Sequence, residues 1–132
     1  MQPTLARMGL AAIIPLGLAS CAISPAAGIT VRDGSSVRLM AGQSARLDDG
    51  TTVHYARLVG DSRCPPGTQC VWAGDAEIEL EWHQGHAPVQ SARLHSNTAA
   101  GRDRVRWGQR EIVLVEVARG SDRATLSVHR VQ

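Results

Sequence analysis

From Ala76 to Trp82 the chain alternates without a break: Ala76, Ile78, Leu80 and Trp82 fall on one side, Glu77, Glu79 and Glu81 on the other. A period of two puts one face of a strand on a core and the other in water. The same reading predicts short strands along the chain, each bounded by turn residues. They cover Ile29 to Arg32, Val37 to Met40, Ser44 to Leu47 and Thr52 to Val59, then Ala76 to Trp82 and Val89 to His95. Arg104 to Trp107, Glu111 to Ala118 and Ala124 to Val131 follow. In the fourth segment Val53, Tyr55, Arg57 and Val59 are expected on one side. Glu111 to Ala118 (EIVLVEVA) is apolar on both faces over most of its length and reads as a central strand. The turn signals are DGSS, AGQ, DDG, HQGHAP and RGSD, and SNTAAGRD reads as a loop. No segment sustains a helical stripe, and no internal repeat is visible. The pattern predicts an all-β fold: a single small antiparallel β-sandwich or barrel of about seven to nine short strands.

The glutamate row invites cross-strand pairing, with Arg93 and His95 on the return strand as the expected partners. Such pairs contribute about 0.2–1 kcal/mol each and serve register and solubility. A solvated acidic face without fixed partners is the competing reading.

The first segment breaks the pattern. MQPTLARMGLAAIIPLGLASC opens with Arg7 and runs apolar from Met8 to Ala19. A helix of that length reaches about 18 Å, against about 30 Å of hydrocarbon core. That layout is a secretory signal, expected over residues 1–20. Its end, Leu18-Ala19-Ser20-Cys21, resembles the bacterial lipoprotein box. The resemblance implies a diacylglycerol on the Cys21 thiol and cleavage that leaves Cys21 as the new N-terminus. Ala22, rather than Asp, after the cysteine implies retention at the outer membrane, facing the periplasm. An ordinary signal cut near Ala19, with a spare thiol, is the alternative. Residues 21–28 (CAISPAAG) then form a lipidated tether and 29–132 the β-domain.

With Cys21 assigned to lipid, Cys64 and Cys70 are left as a pair in an oxidising compartment. They lie in DSRCPPGTQCVWAG, residues 61–74. A zinc site would need further donors, and His83 and His86 sit on a hairpin turn rather than a shared ligand face, so no metal is expected. A reactive thiol would need a C-x-x-C motif or a partner base, and neither is present. A disulfide staple fits best, with a chain-entropy contribution of about 2–2.5 kcal/mol. Trp72 is expected to cap the core beside it. Asp61 or Ser62 would cap loop amides, and Arg63 would pair with Asp61 or with Asp75.

The run DSRCPPGTQCVWAGDAEIEL resembles the hallmark of a family of uncharacterised small exported bacterial proteins, many of them lipoproteins. Asp61, Ser62, Arg63, Cys64, Pro65, Cys70, Trp72, Ala73 and Gly74 match that signature. The resemblance implies a β-domain outside the cytoplasm and carries no activity.

Composition narrows the chemistry. All fourteen basic residues are Arg, which excludes a P-loop lysine, a Schiff base and a lysine general base. There is no Phe, so the core must be small and aliphatic around three Trp and one Tyr. A domain of about 110 residues buries roughly 65% of its unfolded surface. The net charge of +2, scarce aromatics and mixed charge argue against nucleic acid. No G-x-S-x-G, H-E-x-x-H or phosphate loop occurs, and neither Asp48-Asp49 nor the glutamate row resembles a tuned acid–base pair. The expectation is a non-enzymatic envelope lipoprotein without cofactors. Its loops 61–74 and 96–103 would meet an envelope protein or cell-wall polymer, with Arg63 and Trp72 as candidate anchors. The alternative is a periplasmic protease inhibitor that presents Arg63 beside the braced loop.

Overall fold

The computed structural model describes residues 28–132, so the expected signal and tether, including Cys21, lie outside the described residues apart from Gly28. Nine strands form two sheets packed face to face, a β-sandwich rather than a barrel. They are β1 (Ile29–Val31), β2 (Ser36–Met40), β3 (Ser44–Leu47), β4 (Thr51–Asp61), β5 (Ala76–Gln84), β6 (Gln90–His95), β7 (Arg104–Trp107), β8 (Arg110–Val117) and β9 (Arg123–Arg130). The first sheet runs β1-β3-β4-β5-β6 and the second β2-β9-β8-β7. Every pair is antiparallel except β1 with β3. No helix among the described residues is long and apolar enough to cross a membrane.

The alternation in β5 lands as the pattern requires, with Ala76, Ile78, Leu80 and Trp82 buried. β4 departs from strict alternation. Register shifts between Tyr55 and Arg57, and again between Leu58 and Gly60, turn the side chains over. Val53 and Tyr55 point into the core, but Arg57 lands outside opposite Glu79 and binds it at 2.6 Å. An extra residue in one strand of a pair inverts every side chain beyond it. Glu77 meets Arg93 at 3.0 Å. Glu79 and Glu77 are therefore paired from the two neighbouring strands, Glu81 makes no ion pair among the described residues, and His95 turns elsewhere.

β8 lies between β9 and β7, as its two-sided apolarity predicts. Its far end is irregular: the register shifts between Leu114 and Glu116, and Val115 is exposed. β7 covers β8 only from Arg110 to Val113.

Without Phe, the layer between the sheets is filled by Val, Leu, Ile and Ala around two large rings. Trp82 of the first sheet stacks on Trp107 of the second, with centroids 5.1 Å apart and planes 21° from parallel. Tyr55 is fully buried, and among the described residues its hydroxyl has no hydrogen-bond partner. Burial, with Asp122 nearby, pushes its phenol up to about 12. An unpaired buried hydroxyl costs about 1–3 kcal/mol, so Tyr55→Phe should raise stability by about 1 kcal/mol, read as a higher urea midpoint at unchanged slope.

One end of the sandwich is closed by a buried arginine. The Arg110 side chain, 5% exposed, reaches Asp33 at 2.6 Å in the β1–β2 loop and Asp49 at 2.9 Å in the β3–β4 turn. Arg130 adds a contact to Asp33 at 3.3 Å. Burial alone would raise the Asp49 carboxyl; hydrogen bonds from Thr51 and the Arg110 charge outweigh it and hold Asp49 below the usual carboxylate range. The sequence pattern singles out none of these residues as a set.

Candidate functional site: a braced clasp at the open end

At the other end, β4 runs out at Asp61 and β5 begins at Ala76, opposite one another in the sheet. The loop between them carries the Cys64–Cys70 disulfide, with Cα atoms 5.9 Å apart. Pro65 and Pro66 limit the freedom the loop has to lose, and Gly67 turns at a φ of 78°.

Asp61 holds Arg63 through both carboxylate oxygens, Nε to Oδ1 at 2.8 Å and Nη2 to Oδ2 at 2.6 Å. A third bond, from the Arg63 amide to Oδ1 at 3.1 Å, fixes the turn. This bidentate fork suits guanidinium and no other side chain. The remaining nitrogen, Nη1, donates to the Val117 carbonyl of β8, on the opposite sheet. That carbonyl lies beyond the reach of β7, so Arg63 occupies a strand edge that the sheet leaves open. Arg119, from the β8–β9 turn, reaches back to the Cys64 carbonyl at 2.7 Å. Two arginines thus pin the loop across the sandwich.

The loop's return is equally fixed. The Ser62 amide donates to the Asp75 carbonyl at 2.7 Å, and the Asp75 amide to the Ser62 hydroxyl at 3.0 Å. Gly74 crosses directly against the Ser62 carbonyl, and a Cβ there would sit 1.9 Å from that oxygen. The Asp75 carboxylate then gathers His95 (Nδ1, 2.7 Å), the Asn97 amide (2.9 Å) and the Ser96 hydroxyl (3.2 Å). These bonds tie loop 96–103 to the clasp, and Gly101 packs flat against the His95 ring, where a Cβ would lie 2.2 Å from Cδ2. A cleft of about 500 Å³ remains between the two loops and β8, bordered by Gly74, Asn97, Glu116 and Arg119.

Ser, His and Asp meet here, but not as a nucleophilic relay. A relay needs a hydroxyl at the imidazole nitrogen facing away from the carboxylate. Ser96 instead donates to Asp75 itself and accepts from the Ala76 amide, and Ser62 is spent on Asp75's main chain. Among the described residues no three His, Cys, Asp or Glu side chains stand close enough to share a metal ion.

Of the two candidate anchors, the fold takes one and leaves the other. The Arg63 side chain is 13% exposed and every arm of its guanidinium is occupied. Its partner is Asp61, not Asp75. Trp72 does not cap the core: it is 71% exposed and Val71 91%, both standing on the outside of the loop. The pattern beside the disulfide suggested a core position, but two residues after Cys70 the chain is still outside the sheets and reaches them only at Ala76. Asp75, expected as a possible partner of Arg63, instead gathers the 96–103 loop, and pattern reading missed Asn97 and Arg119, which carry no periodic signal. Searches of protein-family models, curated proteins and solved structures return no match for this chain.

The acid limit of the domain follows from these carboxylates. Arg63's side-chain bond holds Asp61 below the usual range. For Asp75, burial pushes upward but the bonds from His95, Asn97 and Ser96 prevail and lower it. Groups lowered in the folded state bind fewer protons there than in the unfolded chain. Their stabilisation is therefore complete above the unfolded value and is lost as pH falls through the folded ones. The thermal midpoint should hold steady from neutral pH to about 5 and drop below about pH 4, less steeply in Asp75→Asn than in the unmutated protein.

Proposed function

We propose that this protein is an exported, lipid-anchored, non-enzymatic binding module of the bacterial envelope, with the clasp end as its contact surface. The observation that carries the reading is the division of labour within residues 61–75. Asp61, Ser62, Arg63, Cys64, Cys70, Gly74 and Asp75 each close the clasp. Val71 and Trp72 close nothing and stand in water between the disulfide ring, which ends at Cys70, and the braced crossing at Gly74. A large apolar pair presented by a rigid scaffold is what a contact site requires, because little entropy is lost when it docks. The likeness of Leu18 to Cys21 to a lipoprotein box, and of the 61–74 run to exported proteins, supports the location. Protease inhibition through Arg63 is disfavoured, since a bait arginine must project into a protease pocket and Arg63 is held by Asp61 and Val117.

A photo-crosslinking residue at position 72, in the full chain expressed in cells, should give a discrete adduct with an envelope component. The same residue at Val89, exposed at the opposite end, should give none. Equal labelling from both positions would refute the assigned surface.

A further inference from the structure

We propose that the component met by Val71 and Trp72 is the bilayer itself, the interfacial layer of the membrane that holds Cys21. The inference rests on the lipid-anchored reading above and names the partner of that surface. Three observations lead to it. First, from Cys64 to Gly74 the loop CPPGTQCVWAG carries no charged side chain, in a chain that is 20% charged. Such a loop can enter the headgroup region without stripping water from an ion. An oppositely charged protein surface would find nothing on it to pair with. Second, the exposed pair combines an aliphatic side chain with an indole, whose apolar body and N–H suit the water–lipid boundary.

Third, topology aims the anchor at the same end. β1 is parallel to β3 and therefore antiparallel to β4, so the chain enters Ile29 travelling away from the clasp. Ile29 is level with Ala45, Val53 and Trp82, and Trp82 stands six residues along β5 from Ala76 at the clasp end. That distance is about 20 Å. The eight residues from Cys21 to Ile29 span up to about 29 Å. An acylated Cys21 can thus lie in the plane that the Trp72 loop reaches. The domain then stands on its clasp, and the Arg110 end faces away from the membrane. A lipid and an inserted Val–Trp pair make two anchoring signals in place of one.

The test uses the full mature protein, purified from membranes and reconstituted into phosphatidylcholine vesicles with or without bromine on the upper acyl chain. Intact mass reports the acyl group on Cys21, and flotation reports vesicle attachment. The Trp72 signal is the difference between unmutated protein and Trp72→Phe, whose equal thermal midpoint shows an unchanged fold. The expected result is a blue-shifted Trp72 emission that loses about half its intensity to brominated lipid, unchanged by high salt because no charge attraction is involved. Acylated, floating protein whose Trp72 is quenched by aqueous iodide and untouched by bromolipid would overturn the inference. The contact-surface reading would survive that result if position 72 crosslinks to a protein or glycan. A protein with no acyl mass would remove the anchored reading and this inference together.

Discussion

Gly74→Ala should destabilise the domain by at least about 3 kcal/mol, among the larger effects a single methyl can have. The added carbon would meet the Ser62 carbonyl oxygen at 1.9 Å, its carbon at 2.3 Å and the Arg63 Cα at 2.5 Å. All three are backbone atoms, so no side chain can swing aside to relieve the overlap. Gly74 is not at positive φ, and its requirement is space rather than torsion. Separating the two strands of the crossing breaks the paired bonds between Ser62 and Asp75 and draws Arg63 off the Val117 carbonyl. Gly67→Ala is the internal control: its φ of 78° disfavours a side chain, but nothing lies within 4 Å, so a loss of only about 1 kcal/mol is expected. Chemical denaturation of the two variants checks both values. Equal midpoints for them would mean that the crossing is not what requires glycine.

Arg110→Ala should cost about 2–3 kcal/mol, below the range for breaking a fully buried ion pair from one side, because both carboxylates keep some contact with water and Arg130 still reaches Asp33. The substitution leaves Asp33 and Asp49 facing a space that held their shared counter-charge. It also removes the bridge from β8 to the β1–β2 loop and the β3–β4 turn. The loss should come mainly from uncompensated charge, not lost volume. Arg110→Met, which restores most of the volume, should therefore recover little by itself. Combined with Asp33→Asn and Asp49→Asn it should recover most of the stability, because an apolar replacement with no charge left behind is commonly neutral or better. Urea denaturation of the set separates the two causes, and full rescue by Arg110→Met alone would contradict this account.

The all-β class and the strands were readable because they rest on local alternation, whereas the choice of sandwich over barrel depends on how the strands pair and was left open by the pattern. β5 shows seven residues in unbroken period two, and each of its apolar positions is buried. The central place of β8 was readable from a different local signal, apolar residues on both faces over most of its length. Where the reading failed, a non-local cause was at work. The bulge after Tyr55 turns Arg57 outward to Glu79, and nothing in TTVHYARLV marks the extra residue. Trp72 looked like core because it is large and apolar, but no strand carries it. At the candidate site the Cys64–Cys70 pairing and the Asp61–Arg63 fork could be read, being close in sequence. The partners that turn a loop into a clasp, Val117, Arg119, Asn97 and His95, come from segments that alternation cannot bring together.

The arginine bridges also bear on time. Arg63 meets a carbonyl 54 residues away, Arg119 one 55 away, and Arg110 a carboxylate 77 away. Contacts closing loops of that length mature after the hairpins on which they depend. Interactions that form late barely alter how fast the chain folds, and act almost wholly on the rate at which it comes apart. The guanidinium groups at the two ends are latches on the way out of the native state.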